Sequence, residues 1–167
     1  AGVARDEARR YYIAGLQAVA GFARDAGIVL TVENFPGADS PFIIADDVLE
    51  AIRAVPGLAL TFDNGNTAMG EPPAASYARL APHVVFAHFK DWALVEPEKG
   101  RRGLDGRWYV PALIGEGIVD QRGCLQAMKA AGYAGYINIE YEGNDYPAAD
   151  AVRRALAHLQ GLVAGLA

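Results

Sequence analysis

Three acidic residues and one histidine, Glu33, Asp63, His88 and Glu140, each close a short apolar run, in the order IVLTVE, LALTFD, VVFAH and YINIE. A carboxylate at the end of a buried segment is expensive unless it is paired or coordinated. Three carboxylates gathered at one place repel one another and drive their pKa values up, and a divalent cation removes that conflict. Carboxylate oxygens with one imidazole suit Mn2+ best, and Mg2+, Co2+ and Zn2+ are compatible with the same donors. Taken singly, each residue has a plainer role, since a strand-end aspartate commonly caps a helix. What groups them is the phase in which their strands deliver them.

The chain alternates helices and strands. A helix over 4–27 ends at Gly27, a strand follows over 28–35, and a second helix over 40–57 opens near Ser40 and is closed by Pro56-Gly57. A strand over 58–66, a short helix over 72–83 with proline in its first turn, and a strand over 84–92 come next. Residues 93–117 read as one long irregular connection, which marks it as functional or mobile. A helix over 120–132, a strand over 133–143 and a closing helix over 146–167 complete the chain. Alternation of this kind implies a parallel sheet with right-handed crossovers.

Side chains alternate across a strand. Thr31 and Glu33 therefore oppose Leu30 and Val32, and Thr61 and Asp63 oppose Leu60 and Phe62. In the same way His88 and Lys90 oppose Ala87 and Phe89, while Asn138 and Glu140 oppose Ile137 and Ile139. Every strand has one apolar face and one that turns polar at its C-terminal end. A doubly wound sheet, covered by helices on both sides, is apolar on both. A barrel has its helices outside and its chemistry on the inner, C-terminal rim. The phase selects the barrel, and with it a metal site of Glu33, Asp63, His88 and Glu140.

Composition bounds the rest. With 167 residues, 52% hydrophobic and 21% charged, the chain has the content of one ordinary globular domain over 1–167. A net charge of −5 speaks against nucleic acid or an anionic membrane as partner. The lone Cys124 has no internal disulfide partner and reads as a small residue packed on a helix. No stretch is apolar enough to span a bilayer and the start has no signal-peptide shape, so a cytoplasmic compartment is expected.

The segments TVENFPG, TFDNGNT, FAHFKDW, IGEGIVD and INIEYEG, in that order and spacing, resemble the second half of the sugar isomerase/epimerase family with the xylose-isomerase-like barrel. The resemblance implies an α/β (β/α)8 fold of which this chain holds about four βα units, strands 5 to 8. It implies metal ligation by Glu33, Asp63, His88 and Glu140, in agreement with the phase argument. It also implies proton abstraction beside the carbonyl of an open-chain sugar or sugar phosphate, through an enediolate, with Glu33 and Glu140 as acid/base pair and His88 helping to hold the substrate. Lys90 shares the polar phase and either neutralises an oxyanion or phosphate or reaches out to the rim. Asp91, on the opposite phase, fits a cap or a supporting role. Glu116, between Gly115 and Gly117, lies at the barrel mouth and contacts substrate or merely solvent. Arg101, Arg102 and Trp108 lie on the long connection, with Arg102 placed to contact substrate and a solvated loop as the plainer reading. Asn34 and Asn66 fit ligand hydrogen bonds, although the NGN triplet favours a turn. Glu142 replaces Glu140 if the last strand is shifted in register.

Two rivals share these features: an inosose-type dehydratase on the same metal, and a catalytically silent half-barrel. An apurinic endonuclease needs more histidines than His83, His88 and His158 and a less acidic chain. Four βα units leave two strand edges open and an inward face carrying Val29, Val84 and Phe86, so a homodimer of half-barrels or a missing N-terminal half is expected.

Overall fold

The computed structural model describes residues 2–166; Ala1, and Ala167 at the end of the expected closing helix, lie outside the described residues. Four short strands, β1 (Thr31–Glu33), β2 (Ala59–Asp63), β3 (Val84–Phe89) and β7 (Ile137–Ile139), form a parallel sheet in the order β1-β2-β3-β7. Helices α1 (Arg5–Asp25), α2 (Ala45–Ala54), α4 (Pro73–Leu80), α5 (Gln121–Ala130) and α6 (Ala148–Ala164) connect and flank them, with a short α3 (Asn64–Ala68) directly after β2. None of the described helices is long and apolar enough to cross a membrane.

The alternation along the strands decides where the core sits. Val32, Leu60, Phe62, Ala87 and Phe89 point to the helices and pack with Val48 and Ala51 of α2, Tyr77 and Leu80 of α4, and Cys124, Leu125 and Met128 of α5. Ala151, Ala155 and Leu159 of α6 complete this layer. Burial pushes the Cys124 thiol far above its usual range. The opposite face carries Thr31, Thr61, His88 and Asn138, tied across β1 and β2 by a 3.0 Å bond between the Thr31 and Thr61 hydroxyls. Helices therefore cover one face of the sheet, as a barrel requires.

Three expectations are corrected. Residues 40–44 are not helical, and α2 begins at Ala45 because Asp47, from inside its first turn, accepts the N–H groups of Ile43 and Ile44 at 3.1 Å each. Ser40 instead donates its hydroxyl to the Phe42 carbonyl. Residues 93–117 are not irregular throughout. They continue β4 (Asp91–Val95) into β5 (Arg101–Arg102) and β6 (Trp108–Ala112), an antiparallel sheet of order β4-β6-β5. Its alternation was hidden by the charged turn EPEKG.

The third correction concerns β3. Leu60 pairs with Val84 but Thr61 pairs with Phe86, so Val85 is an extra, bulged residue. A bulge reverses the phase of everything before it. Val84 thus joins the helix-covered core, and Val85 is the exposed one. Val29 stays exposed at 63% and Phe86 half-buried, with its ring edge-on to His88.

At the outer edges, β1 and β7 each pair with one neighbour. Next to them Ile28, Val29 and Tyr136 (80%) are exposed. Unpaired edges with apolar flanks recruit partners. At micromolar concentration the chain is expected to sediment as a dimer or larger species, and a stable monomer in sedimentation velocity would show that these edges are tolerated in water. A second expectation concerns Asp47, which anchors α1 through Arg5 and Arg9, the latter at 3.1 Å. Asp47→Ala removes a carboxylate partner from Arg5 and Arg9, which keep the Ser40 carbonyl and Glu50 respectively, and leaves the Ile43 and Ile44 N–H groups unpaired. It should cost about 2 kcal/mol in urea unfolding.

Candidate metal centre

Each strand of the parallel sheet ends in one donor. Glu33 closes β1, Asp63 closes β2, His88 is the penultimate residue of β3, and Glu140 directly follows β7. One donor atom from each lies within 4.8 Å of the other three. His88 Nδ1 is 3.0 Å from both Glu33 Oε1 and Glu140 Oε1. One ring nitrogen carries at most one proton, so it cannot serve both carboxylates by donating. A cation among the three would satisfy all of them.

Asp63 makes the strongest demand for one. It is fully buried, and its Oδ1 accepts the Asn66 N–H at 2.7 Å to cap α3. Its Oδ2 makes no hydrogen bond, although the Lys90 ammonium stands 3.3 Å away. Burial pushes the Asp63 carboxyl up to about 8, the Lys90 charge and the Asn66 N–H pulling the other way and Glu140 and Glu33 adding to the rise. A buried carboxylate oxygen without a partner, aimed into a cluster of carboxylates and an imidazole, fits a hard divalent cation. Glu33, Asp63, His88 and Glu140 are the residues that would hold it.

Lys90 does not reach out to the rim. It is 4% exposed, and its Nζ lies 2.6 Å from Glu140 Oε2 and 2.6 Å from Glu142 Oε1. Burial alone would lower its pKa, but Asp63, Glu140 and Glu142 outweigh that and hold it above its usual value. Glu142 thus belongs to the charge network through Lys90 rather than as a substitute for Glu140.

The remaining expected site residues are distributed around this centre. Glu116 is bound to Arg154 Nη2 of α6 at 2.6 Å and to the hydroxyl of Tyr146, just before α6, at 3.0 Å. Arg102 is exposed on β5, and its carbonyl accepts the Ala38 N–H at 2.7 Å. Arg101 lies over the Phe35 ring at 5.9 Å. Both arginines border a cavity of about 620 Å3 that Glu33 also lines, together with Tyr12, Phe35 and Phe42. The β5 strand is therefore held over the loop that follows Glu33. Asp91 acts as a cap: its carboxylate accepts from the backbone N–H groups of Trp92, Gly115, Gly117 and Val119 at 2.9–3.1 Å. Gly117 must be glycine, since a Cβ there would meet Asp91 Oδ1 at 2.2 Å. Asn66 is not in a turn but in α3, where its side chain donates to the Asn34 carbonyl at 2.9 Å. Asn64 and Gln121, buried beside Lys90, gave no sign in the sequence because they stand 57 positions apart.

With this geometry in hand, comparison with known proteins is decisive for the family. Residues 1–162 match the family model described as the xylose isomerase-like TIM barrel. The chain belongs to that family. It is 24% identical over 137 residues to the inosose dehydratase of Lacticaseibacillus casei, an alignment covering 77% of this chain and 45% of that one. A xylose isomerase-like TIM barrel protein from Mycobacterium smegmatis, solved in complex with magnesium, superposes at TM-score 0.70 with 24% identity, over 100% of this chain and 55% of that one. A D-tagatose 3-epimerase-like protein superposes at TM-score 0.75 with 21% identity, over 96% and 56%. The chain thus spans about half the length of the relatives it matches, and its four parallel strands form part of their barrel fold.

Mn2+ at a hundredfold excess over its dissociation constant should stabilise the chain by about 2.7 kcal/mol if it binds the folded state alone. Thermal unfolding with and without the ion reads this as a rise in melting temperature. Asp63→Asn, which keeps the shape and removes the charge, is expected to abolish the rise.

Proposed function

We propose that the chain carries the metal-binding half of a divalent-metal-dependent sugar or sugar-phosphate isomerase/epimerase, the reaction being proton transfer beside a carbonyl through an enediolate. The observation that carries this reading is the convergence of Glu33, Asp63, His88 and Glu140 from four successive strands of the sheet onto one point. When bound, a divalent ion (Mn2+ by donor type, with Mg2+, Co2+ or Zn2+ compatible) supplies Lewis-acid stabilisation of the charge that develops on the substrate oxygens.

The residues of the chain divide the remaining work. Glu140 takes the proton from the carbon next to the carbonyl and Glu33, entering as the carboxylic acid, delivers another, from the far side for epimerisation or at the neighbouring carbon for isomerisation. One carboxyl thus gains a proton as the other loses one. Each carboxyl group lies 3.0 Å from His88 Nδ1, so the acid/base pair meets at one point. His88 orients the substrate oxygens between them. Lys90, bonded to both Glu140 and Glu142, holds the Glu140 carboxylate in place before the proton moves. Arg102, at the mouth of the cavity that reaches Glu33, suits an anionic substituent such as a phosphate. Glu116 contacts substrate only if its link to Arg154 and Tyr146 opens.

A dehydratase acting on an inosose-like ketone is the second reading, favoured by the inosose dehydratase match. Elimination also begins with proton loss beside a carbonyl, so the same residues serve. A catalytically silent half-barrel is the third, favoured by the share of the relatives' length that the chain spans.

The Mn2+-loaded chain is incubated with ketoses in heavy water. Exchange of the carbon-bound proton is expected, and Glu140→Gln, whose amide is no base, should reduce it by a factor of at least about 10^2. A new ultraviolet-absorbing unsaturated product would convert the assignment to a dehydratase. Metal uptake without exchange would leave the silent module as the correct reading.

A further inference from the structure

The parallel ladder stops short of the residues that matter most. Pairing of β1 with β2 ends at Glu33 opposite Thr61, two residues before Asp63. Pairing of β2 with β3 ends at Asp63 opposite His88, two residues before Lys90. Strands of a barrel splay at this end as their loops turn away to the helices. A backbone group left unpaired in the buried interior costs as much as a lost hydrogen bond.

At both seams a side-chain amide takes over. Asn34, the residue after Glu33, accepts the Asp63 N–H at 2.9 Å and donates to the Asp63 carbonyl at 2.7 Å. Its amide thus occupies the place of a peptide on a neighbouring strand. Asn64, the residue after Asp63, accepts the Lys90 N–H at 3.1 Å, and Gln121 donates to the Lys90 carbonyl at 2.9 Å. The two amides are joined to each other at 2.5 Å, and together bracket the Lys90 backbone as Asn34 alone brackets Asp63. The third seam needs no such device, because the Glu140 N–H reaches the Phe89 carbonyl directly at 2.9 Å. All three amide residues are buried, and their side-chain hydrogen bonds go to the backbone of Asp63 and Lys90, to the Thr67 hydroxyl and to each other.

We infer that Asn34, Asn64 and Gln121 are positioning residues of the metal centre, an amide belt that continues the sheet past its last backbone pair and sets the spacing of Glu33, Asp63, His88 and Lys90. The amide of Asn or Gln offers a donor and an acceptor on one small planar group, as a peptide does. Aspartate would lose the donor and leucine both. Because Asn34 adjoins Glu33 and grips the backbone of Asp63, loosening it changes the distance between two ligands without removing either. The inference rests on the metal-centre reading, and the experiment separates the two.

Mn2+ affinity is measured by titration calorimetry on the full chain and on Asn34→Ala, Gln121→Ala and Gln17→Ala. Gln17 of α1 donates to the Ala54 carbonyl of α2 at 2.9 Å, and controls for loss of a side chain–backbone bond. Asn34→Ala and Gln121→Ala are expected to weaken Mn2+ binding by about 10- to 100-fold, the range for groups that orient ligands. The electron paramagnetic resonance spectrum of the saturated variants should also differ from that of the wild type. Gln17→Ala should change neither. If Asn34→Ala does not fold, Gln121→Ala, which leaves β1 and β2 untouched, decides. Variants that are less stable yet bind Mn2+ with wild-type affinity and spectrum would overturn the belt and leave the centre standing. A wild-type chain that takes up no Mn2+ would overturn the centre itself, and the belt with it.

Discussion

Four carboxylates, Asp63, Glu33, Glu140 and Glu142, are gathered round one buried ammonium, that of Lys90, and one imidazole. The balance is negative in a place where Asp63 has no access to water. Lys90 bonds Glu140 and Glu142 closely and stands further from Asp63, whose second oxygen is left without a hydrogen bond. Such an arrangement is stable only if another positive charge enters or a proton does. Burial raises the Asp63 pKa, and a divalent ion suits its donor set.

The rest of the molecule can be understood as what holds that conflict in place. The sheet is apolar on the side of the helices, so the opposite face is free to carry charge at the strand ends. The ladder fails where the strands splay, and Asn34, Asn64 and Gln121 replace it. One strand-end residue later, Asp91 gathers four backbone N–H groups and pins the loop 115–119, which keeps the chain near the centre from fraying. Polar groups buried this deeply are tolerated because nearly all are satisfied, and a partly satisfied network would be worse than an apolar one. Among the described residues, the few buried side-chain atoms without a partner include Asp63 Oδ2 at the centre itself and Asn66 Oδ1 on the adjacent α3.

The same sheet explains the open flanks. A parallel sheet covered by helices on one side has an inner face that needs either closure or a partner, and Val29 and Tyr136 lie where closure would bury them. In the relatives the matched region accounts for roughly half of a longer barrel chain. The donors nevertheless meet within four strands, since all four point to one spot off the sheet rather than round a complete ring. The four side chains are thus brought together within this chain alone.

The alternation of residues within each strand was enough to determine, from sequence alone, the sheet's one-sidedness, the barrel class, and the shared face of Glu33, Asp63, His88 and Glu140. It sufficed because the period of two is a property of the backbone, and any polar residue in phase with another at the same strand end must share its face. The tertiary structure decided what depends on contacts between distant segments. The bulge at Val85 moved Val84 into the core, a shift that arises from pairing with β2 and leaves no mark in β3's own residues. Lys90 proved buried rather than extended because Asp63, Glu140 and Glu142 converge on it from two other strands. Glu116 turned to α6 because Arg154 and Tyr146, far along the chain, lie within its reach. The roles of Asn64 and Gln121 followed from a hydrogen bond spanning 57 positions, and local pattern carries no information about which two amides will meet.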